Sequence, residues 1–136
     1  MFWRRREVTF LRPKRDLRAI YTAATQGAGT NGTDSLDLLT AAAREPAVAT
    51  LIRKLGVDPA VVASSASGAC VIRQPDPGFT DDAKRVVEAL SDRALDLRRE
   101  SSGADLLLAL ATTDTAAQGV LSVFGIDQTR IRALTG

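Results

Sequence analysis

The sequence predicts an all-α domain of eight helices, and three observations support that fold class. The stretch at residues 38–58 returns in altered form at residues 107–127, in a constant register that places Leu38 on Leu107. The composition is 45% hydrophobic but only 4% aromatic, so a core of Ala, Leu and Val is expected, which suits close-packed helices better than a β-sandwich. Apolar residues recur at helical spacing, and no stretch has a strand signal. We therefore expect two sets of four helices, each of which covers an apolar face of the other.

The first half of the chain, residues 13–66, carries start and stop signals for four helices. Proline or a capping residue precedes or opens each helix, and glycines follow two of them. The predicted helices cover residues 13–25, 33–43, 47–54 and 58–66, with Thr33 and Asp58 as caps. Residues 67–78 are rich in small residues, proline and glycine and are predicted to be a linker.

The second half, residues 79–136, repeats this order. Its predicted helices cover residues 80–99, 105–112, 116–123 and 127–134. The first of these has the strongest pattern, because Thr80 is a good N-cap and a continuous apolar stripe follows it. Residues 1–12 precede both halves as a basic N-terminal arm, so the whole chain is expected to form one compact domain.

The residue types that enzymes use are scarce in this chain. There is no histidine, which removes the commonest general base, the usual Ser and Cys triads and most zinc sites. The segment "GAGTNG" matches a dinucleotide fingerprint by letter, but a helical pattern precedes it where a strand is required. A flexible loop between helices is the alternative reading of these glycines. We therefore expect no enzyme activity, no cofactor and no metal.

The compartment is predicted from cysteine usage and hydropathy. A single cysteine, Cys70, rules out an internal disulfide and fits a reducing compartment, so a cytoplasmic location is expected. No apolar run approaches the roughly 20 residues that a membrane helix needs. The start "MFWRRR" lacks the apolar region of a secretory signal.

Three segments of the second half carry a family resemblance. "FTDDAKRVVEALSDRALDL", "GADLLLALA" and "TAAQGVLSVFGID" resemble, in that order, the Clp N-terminal repeat, which forms the N-domain of ClpA- and ClpC-like Clp/Hsp100 unfoldases. The resemblance extends over residues 10–134 and is stronger in the second half. It implies eight helices in two pseudo-twofold four-helix repeats. It also implies docking of adaptors, substrates or degrons, phosphoarginine included in ClpC-like members, and of cyclic peptide antibiotics.

The same resemblance suggests candidate ligand-binding acids. In the family, phosphoarginine is bound near the acid of a "GTEH" segment, and Asp105 takes that place in the second half. In the first half the corresponding position is Leu36, flanked by Asp34 and Asp37, but a slip of one residue in the register is also open. Capping of a helix is the alternative role for each of these three carboxylates.

The remaining expectations concern aromatic residues and partners. A groove near Phe10 and Phe79 is the next candidate site, although both rings could equally belong to the core. Since no ATPase module is present, we expect a free-standing, monomeric regulator or decoy of a Clp protease, whose partner is a Clp component, an adaptor, a substrate or a peptide-like small molecule.

Two other functions compete with this one. Basic residues crowd the N-terminus, namely Arg4, Arg5, Arg6, Arg12, Lys14, Arg15 and Arg18. They could bind nucleic acid or another anionic surface, or belong to a frayed terminus. The net charge of only +2 argues against a large nucleic-acid footprint. A structural remnant without a partner is the third reading.

Overall fold

The computed structural model describes residues 13–69, 75 and 78–135, and these residues form an all-α fold. The helices are α1 (Arg15–Ala28), α2 (Ser35–Arg44), α3 (Pro46–Lys54), α4 (Pro59–Gly68), α5 (Asp81–Leu97), α6 (Gly103–Thr112), α7 (Ala116–Val123) and α8 (Gln128–Thr135). Within the described ranges, β-structure is limited to two isolated bridges, Asn31 with Pro75 and Thr33 with Phe79. The predicted fold class and the order of eight helices are confirmed.

A single apolar cluster runs through both halves of the chain. Leu39 and Ile52 of the first half and Leu107 and Ile131 of the second are completely buried members of it. The cluster is built almost wholly from Ala, Val, Leu and Ile, as the low aromatic content predicts. Because these side chains belong to one core, neither half buries its apolar surface alone.

Several helix ends differ from the predicted ones. The first helix continues through Gly27 to Ala28 and ends where Gly29 takes a φ of 63°. Asp34, and not Thr33, caps α2, because the Asp34 carboxylate accepts a hydrogen bond from the backbone N–H three residues later. The linker prediction is wrong at residues 67 and 68: they extend α4, since Ala and Ser tolerate a helix and Gly68 ends it.

The long helix α5 is shorter than predicted at both ends. Thr80 occupies the N-cap position, but its hydroxyl makes no cap bond to the backbone. It donates instead to the Asp82 carboxylate at 2.5 Å. At the other end, the helix stops at Leu97 because Arg98 adopts a left-handed conformation with φ of 51°. Arg99 therefore lies in the loop before α6, where it has freedom to contact the next helix.

Gly103 opens α6 at a tight contact between the halves. A Cβ built on Gly103 would lie 2.7 Å from a methyl carbon of Val48 and 3.1 Å from the Asp16 carboxylate. Neither neighbour can retreat easily, because Val48 is completely buried and the carboxylate is hydrogen-bonded to Gly103 itself. A larger side chain at this position must therefore push α6 away from α1 and α3.

Replacing Gly103 with alanine is expected to lower the free energy of unfolding by about 1–3 kcal/mol, the usual cost of overpacking a tight contact. The matched control is Gly119→Ala in α7, where a Cβ would have no neighbour within 4 Å. Gly119→Ala is expected to raise the free energy of unfolding by up to about 1 kcal/mol, because alanine has a higher helix propensity than glycine. Urea unfolding of both variants checks the pair, and equal effects would contradict the tight contact.

The described residues contain neither a single helix that could span a membrane nor a group of metal ligands. No single helix there is long and apolar enough to span a membrane, although α6 and α7, bent by 95°, would pass together on length and composition. No group of three Cys, Asp or Glu side chains in the described ranges could hold a metal ion.

Candidate functional site

Asp105 lies in the first turn of α6, where it forms a capping box with Ser102. The Asp105 backbone N–H donates to the Ser102 hydroxyl at 3.3 Å, and the Asp105 carboxylate accepts from the Ser102 backbone N–H at 2.9 Å. The Ser102 hydroxyl also lies 3.1 Å from the same carboxylate oxygen. This reciprocal pattern satisfies backbone donors that a helix start leaves unpaired. The capping role that the sequence offered as the alternative for Asp105 is therefore observed.

The same carboxylate also binds two arginine side chains. Arg99 donates to both Asp105 oxygens, each at 2.9 Å, in a bidentate arrangement. Arg93 of α5 approaches from the other side, with its Nε 3.5 Å from Oδ1. Asp105 is only 7% exposed, whereas the Arg99 side chain is 44% exposed. A nearly buried carboxylate thus lies beneath a solvent-facing guanidinium.

Electrostatics around Asp105 favour its ionised form. Burial by itself raises the pKa of this carboxyl, but hydrogen bonds and charge from Arg99, together with hydrogen bonds from Ser102, outweigh burial and hold the pKa below its ordinary value of 3.8. Asp105 is therefore a carboxylate at every physiological pH. Such a group is suited to bind a cation and unsuited to act as a proton donor.

The lowered pKa of Asp105 predicts a loss of stability in acid. Because the folded-state pKa is below the unfolded value, the contribution is complete above about pH 4 and disappears as the pH falls through the folded-state pKa. The pKa of Asp82 is lowered as well, so the acid-induced loss of wild type must be compared with that of a variant that lacks the Asp105 charge. Between pH 5 and pH 2, wild type should lose more stability than Asp105→Asn. Parallel pH profiles would contradict the assignment.

Asp34 and Asp37 form the corresponding capping box at the start of α2. The Asp34 carboxylate accepts from the Asp37 N–H at 2.8 Å, and the Asp37 carboxylate accepts from the Asp34 N–H at 3.0 Å. Superposing the two boxes places Asp37 on Asp105, one residue out of the register that places Leu38 on Leu107. The one-residue slip left open by the sequence is thus favoured, and Leu36 is a buried core residue.

Carboxylates from each half cap a helix of the other half. Asp16 of α1 accepts from the Gly103 N–H of α6 at 3.0 Å. Asp82 of α5 accepts from the Ser35 N–H of α2 at 3.2 Å and from the Ser35 hydroxyl at 2.7 Å. Ser35 is completely buried, and its hydroxyl also accepts from the Ala117 N–H of α7 at 3.3 Å. These contacts hold the starts of α2 and α6 in place.

Backbone hydrogen bonds also join the two halves in this reciprocal way. Lys14, just before α1, donates to the carbonyl of Ser101, just before α6, at 2.8 Å. Thr80, just before α5, donates to the carbonyl of Thr33, just before α2, at 3.0 Å. The two capping boxes are therefore fixed by equivalent contacts from the opposite half.

Of the two aromatic candidates, only Phe79 lies within the described residues. Its ring is 5.9 Å from that of Tyr21 at an interplanar angle of 58°, and it packs against the core while remaining partly exposed. Burial raises the pKa of Tyr21 to about 12. Phe10 and Cys70 lie outside the described residues, and so does the N-terminal arm.

The described part of the basic cluster lies at the start of α1. Lys14, Arg15 and Arg18 are exposed and line an open cleft of about 620 Å³ together with Glu100 and Ser102. This cleft adjoins the α6 capping box through Ser102. The cleft is lined by acidic as well as basic side chains, since Asp16 also contributes to it.

Reasoning from sequence missed the residues that complete these sites. Arg93 and Arg99 both fall within the predicted helix 80–99, and neither was given a role from the sequence. The available signal was an arginine six residues before an acid at a helix start. Ser35 and Asp16 had no local signal, because their partners are distant in sequence.

Comparison with known proteins finds a similar fold but indicates no activity. No protein-family model matches the chain, and no curated protein matches it. Among solved structures, a chain from preliminary structural investigations of a malarial protein secretion system is similar, with a TM-score of 0.74 and 16% identity. The match covers 90% of this chain and 91% of that one. At this identity the likeness concerns the fold, and it extends across the whole all-α domain.

Proposed function

We propose that the chain is a non-enzymatic binding module of the Clp N-domain type. It docks an adaptor, a substrate or degron, or a peptide-like ligand, and serves as a regulator or decoy of a Clp protease. The observation that carries this proposal is the pair of capping boxes, each fixed by a carboxylate from the opposite half. Two repeats related by a pseudo-twofold axis would make such reciprocal contacts, which is the architecture implied by the repeat resemblance.

The chemistry of Asp105 supports a ligand role in addition to the cap. A helix cap needs only a carboxylate near two backbone N–H groups. Asp105 also accepts hydrogen bonds from two nitrogens of the planar Arg99 guanidinium. Bidentate pairs of this kind give geometric specificity for arginine-type groups. Asp105 is the first candidate for partner recognition because it combines this geometry with burial.

A pull-down from the source organism's lysate, read by mass spectrometry, tests the proposal. Wild type is compared with Asp105→Asn and with Asp114→Asn, an exposed acid on the loop before α7. We expect Clp ATPase, protease, adaptor or arginine-phosphorylated proteins with wild type and Asp114→Asn, and their loss with Asp105→Asn. Recovery of none of these classes with wild type would reject the function. Recovery of these proteins with Asp105→Asn as well would mean that the binding site lies elsewhere on the chain.

A second candidate function is anion binding through the basic N-terminal region. The exposed group of Lys14, Arg15 and Arg18 favours it, since the preceding twelve residues of the sequence carry four further arginines. Binding to DNA or anionic vesicles should then weaken steeply as salt rises. The double variant Arg15→Gln, Arg18→Gln should bind with a weaker dependence on salt. Binding that changes neither with salt nor with these substitutions would reject this second function.

A further inference from the structure

Arg99 occupies the Asp105 carboxylate from within the chain. We propose that Arg99 is an internal ligand of this site, and that a partner docks by replacing it with an arginine side chain of its own. This inference rests on the proposed binding function and adds the way in which access to the site is controlled. The ligand class follows from the contact itself, because the carboxylate already holds a guanidinium by two hydrogen bonds of 2.9 Å.

The geometry at Asp105 favours arginine over lysine. Both carboxylate oxygens accept from Arg99, and Oδ2 is also held by the Ser102 N–H, so the plane of the carboxylate is fixed. A fixed planar carboxylate matches the two parallel N–H donors of a guanidinium, whereas an ammonium group presents a single point charge. The Ser102 contact also keeps the carboxylate oriented when Arg99 leaves.

The position of Arg99 makes it replaceable. Its side chain is 44% exposed and belongs to the loop between α5 and α6, so it can move into solvent without disturbing a helix. The preceding residue, Arg98, has a φ of 51°, which turns the chain sharply at this point. Exchange with an incoming arginine keeps both charged hydrogen bonds, and the displaced guanidinium becomes hydrated. In the complex the buried carboxylate is again paired with a guanidinium.

Competition by Arg99 lowers the apparent affinity for a partner. An incoming guanidinium binds only the fraction of molecules in which Arg99 has left, so the apparent dissociation constant equals the intrinsic constant divided by that fraction. Six residues before Asp105 the chain has Arg99, where six residues before Asp37 it has Asn31.

The test is a titration of the full chain with Nα-acetyl-arginine amide, followed by the NMR signals of the Ser102 and Asp105 amides. Nα-acetyl-lysine amide is the ligand control, and Arg98→Gln is the matched variant. We expect Arg99→Gln to bind the arginine probe about tenfold more tightly than wild type or more, because the competitor is gone. Arg98→Gln should match wild type, and Asp105→Asn should not bind. Thermal melts of each variant establish that it is folded.

Equal affinities of wild type and Arg99→Gln would overturn the inference, as would equal binding of the arginine and lysine probes. The same variants in the lysate pull-down separate this failure from failure of the proposed function. Partners lost in Asp105→Asn but unchanged in Arg99→Gln would keep the function and reject the internal ligand. A tighter titration of Arg99→Gln with an empty pull-down would keep the internal ligand and reject the function.

Discussion

Truncating Leu107 to alanine is expected to lower the free energy of unfolding by about 2–5 kcal/mol, the usual cost of a cavity in a packed core. Leu107 is completely buried in the cluster that joins the two halves. Because the core is shared, the variant should melt in one transition at a lower temperature. Scanning calorimetry measures both the loss of stability and the number of transitions.

Two comparison variants make the Leu107 result specific. Leu39→Ala removes an equally buried side chain from the first half and should cost a similar amount. Val123→Ala removes a side chain that is 82% exposed, and it should change stability by no more than about 0.5 kcal/mol. A second transition in Leu107→Ala, with the first half still folded, would contradict a single shared core.

Replacing Asp82 with alanine is expected to cost about 2–4 kcal/mol, since two groups of Ser35 lose their acceptor and each buried unpaired donor costs about 1–3 kcal/mol. The Ser35 hydroxyl and N–H both donate to the Asp82 carboxylate, and Ser35 is completely buried. The loss also weakens the Ala117 contact, because the orientation of the Ser35 hydroxyl depends on Asp82. Urea unfolding at neutral pH measures the effect.

Asp81→Ala is the matched control for Asp82. Asp81 is the preceding residue of the same helix turn, exposed to solvent, and carries the same charge near the positive end of the helix dipole. Its removal should cost about 0.3–1 kcal/mol. Equal losses for the two variants would mean that Asp82 acts only through the dipole and that the contact with Ser35 contributes nothing.

The fold class and helix order could be predicted because the signals are local. Apolar spacing and the glycine stops lie within short stretches of sequence, and the internal repeat presents the same signals twice. The helix ends were harder, since neighbouring residues competed for one cap: Thr33 and Asp34 are both good N-caps, and only Asp34 reaches the N–H of Asp37. Gly27 lies inside α1 despite its low helix propensity, so local preference was overridden there.

The candidate site could be predicted only in part. Asp105 followed from a resemblance, but its partners depend on where the chain turns. Arg99 reaches Asp105 because α5 ends two residues before it, at the left-handed Arg98, and no local pattern predicted that end. The contacts of Asp16 and Asp82 with the opposite half join residues far apart in sequence, for which a single sequence carries no direct signal.

The resemblance and the structure contribute different parts of the proposed function. The resemblance to the Clp repeat suggests the class of partner, whereas the Asp105 contacts suggest the chemical group by which a partner is held. Capping by itself would not need Arg99, because Ser102 already completes the box. The guanidinium contact is therefore additional to the cap, and the proposed ligand role is based on it.

Thermal unfolding of the purified chain with defined partners tests the binding function most directly. The partners are a Clp ATPase, its adaptor and an arginine-phosphorylated protein, each added in excess to wild type and to Asp105→Asn. A partner present at a hundredfold excess over its dissociation constant stabilises the folded state by about 2.7 kcal/mol. The account predicts a raised melting temperature for wild type with at least one of them and no change for Asp105→Asn. Unchanged melting of wild type with every partner would contradict it.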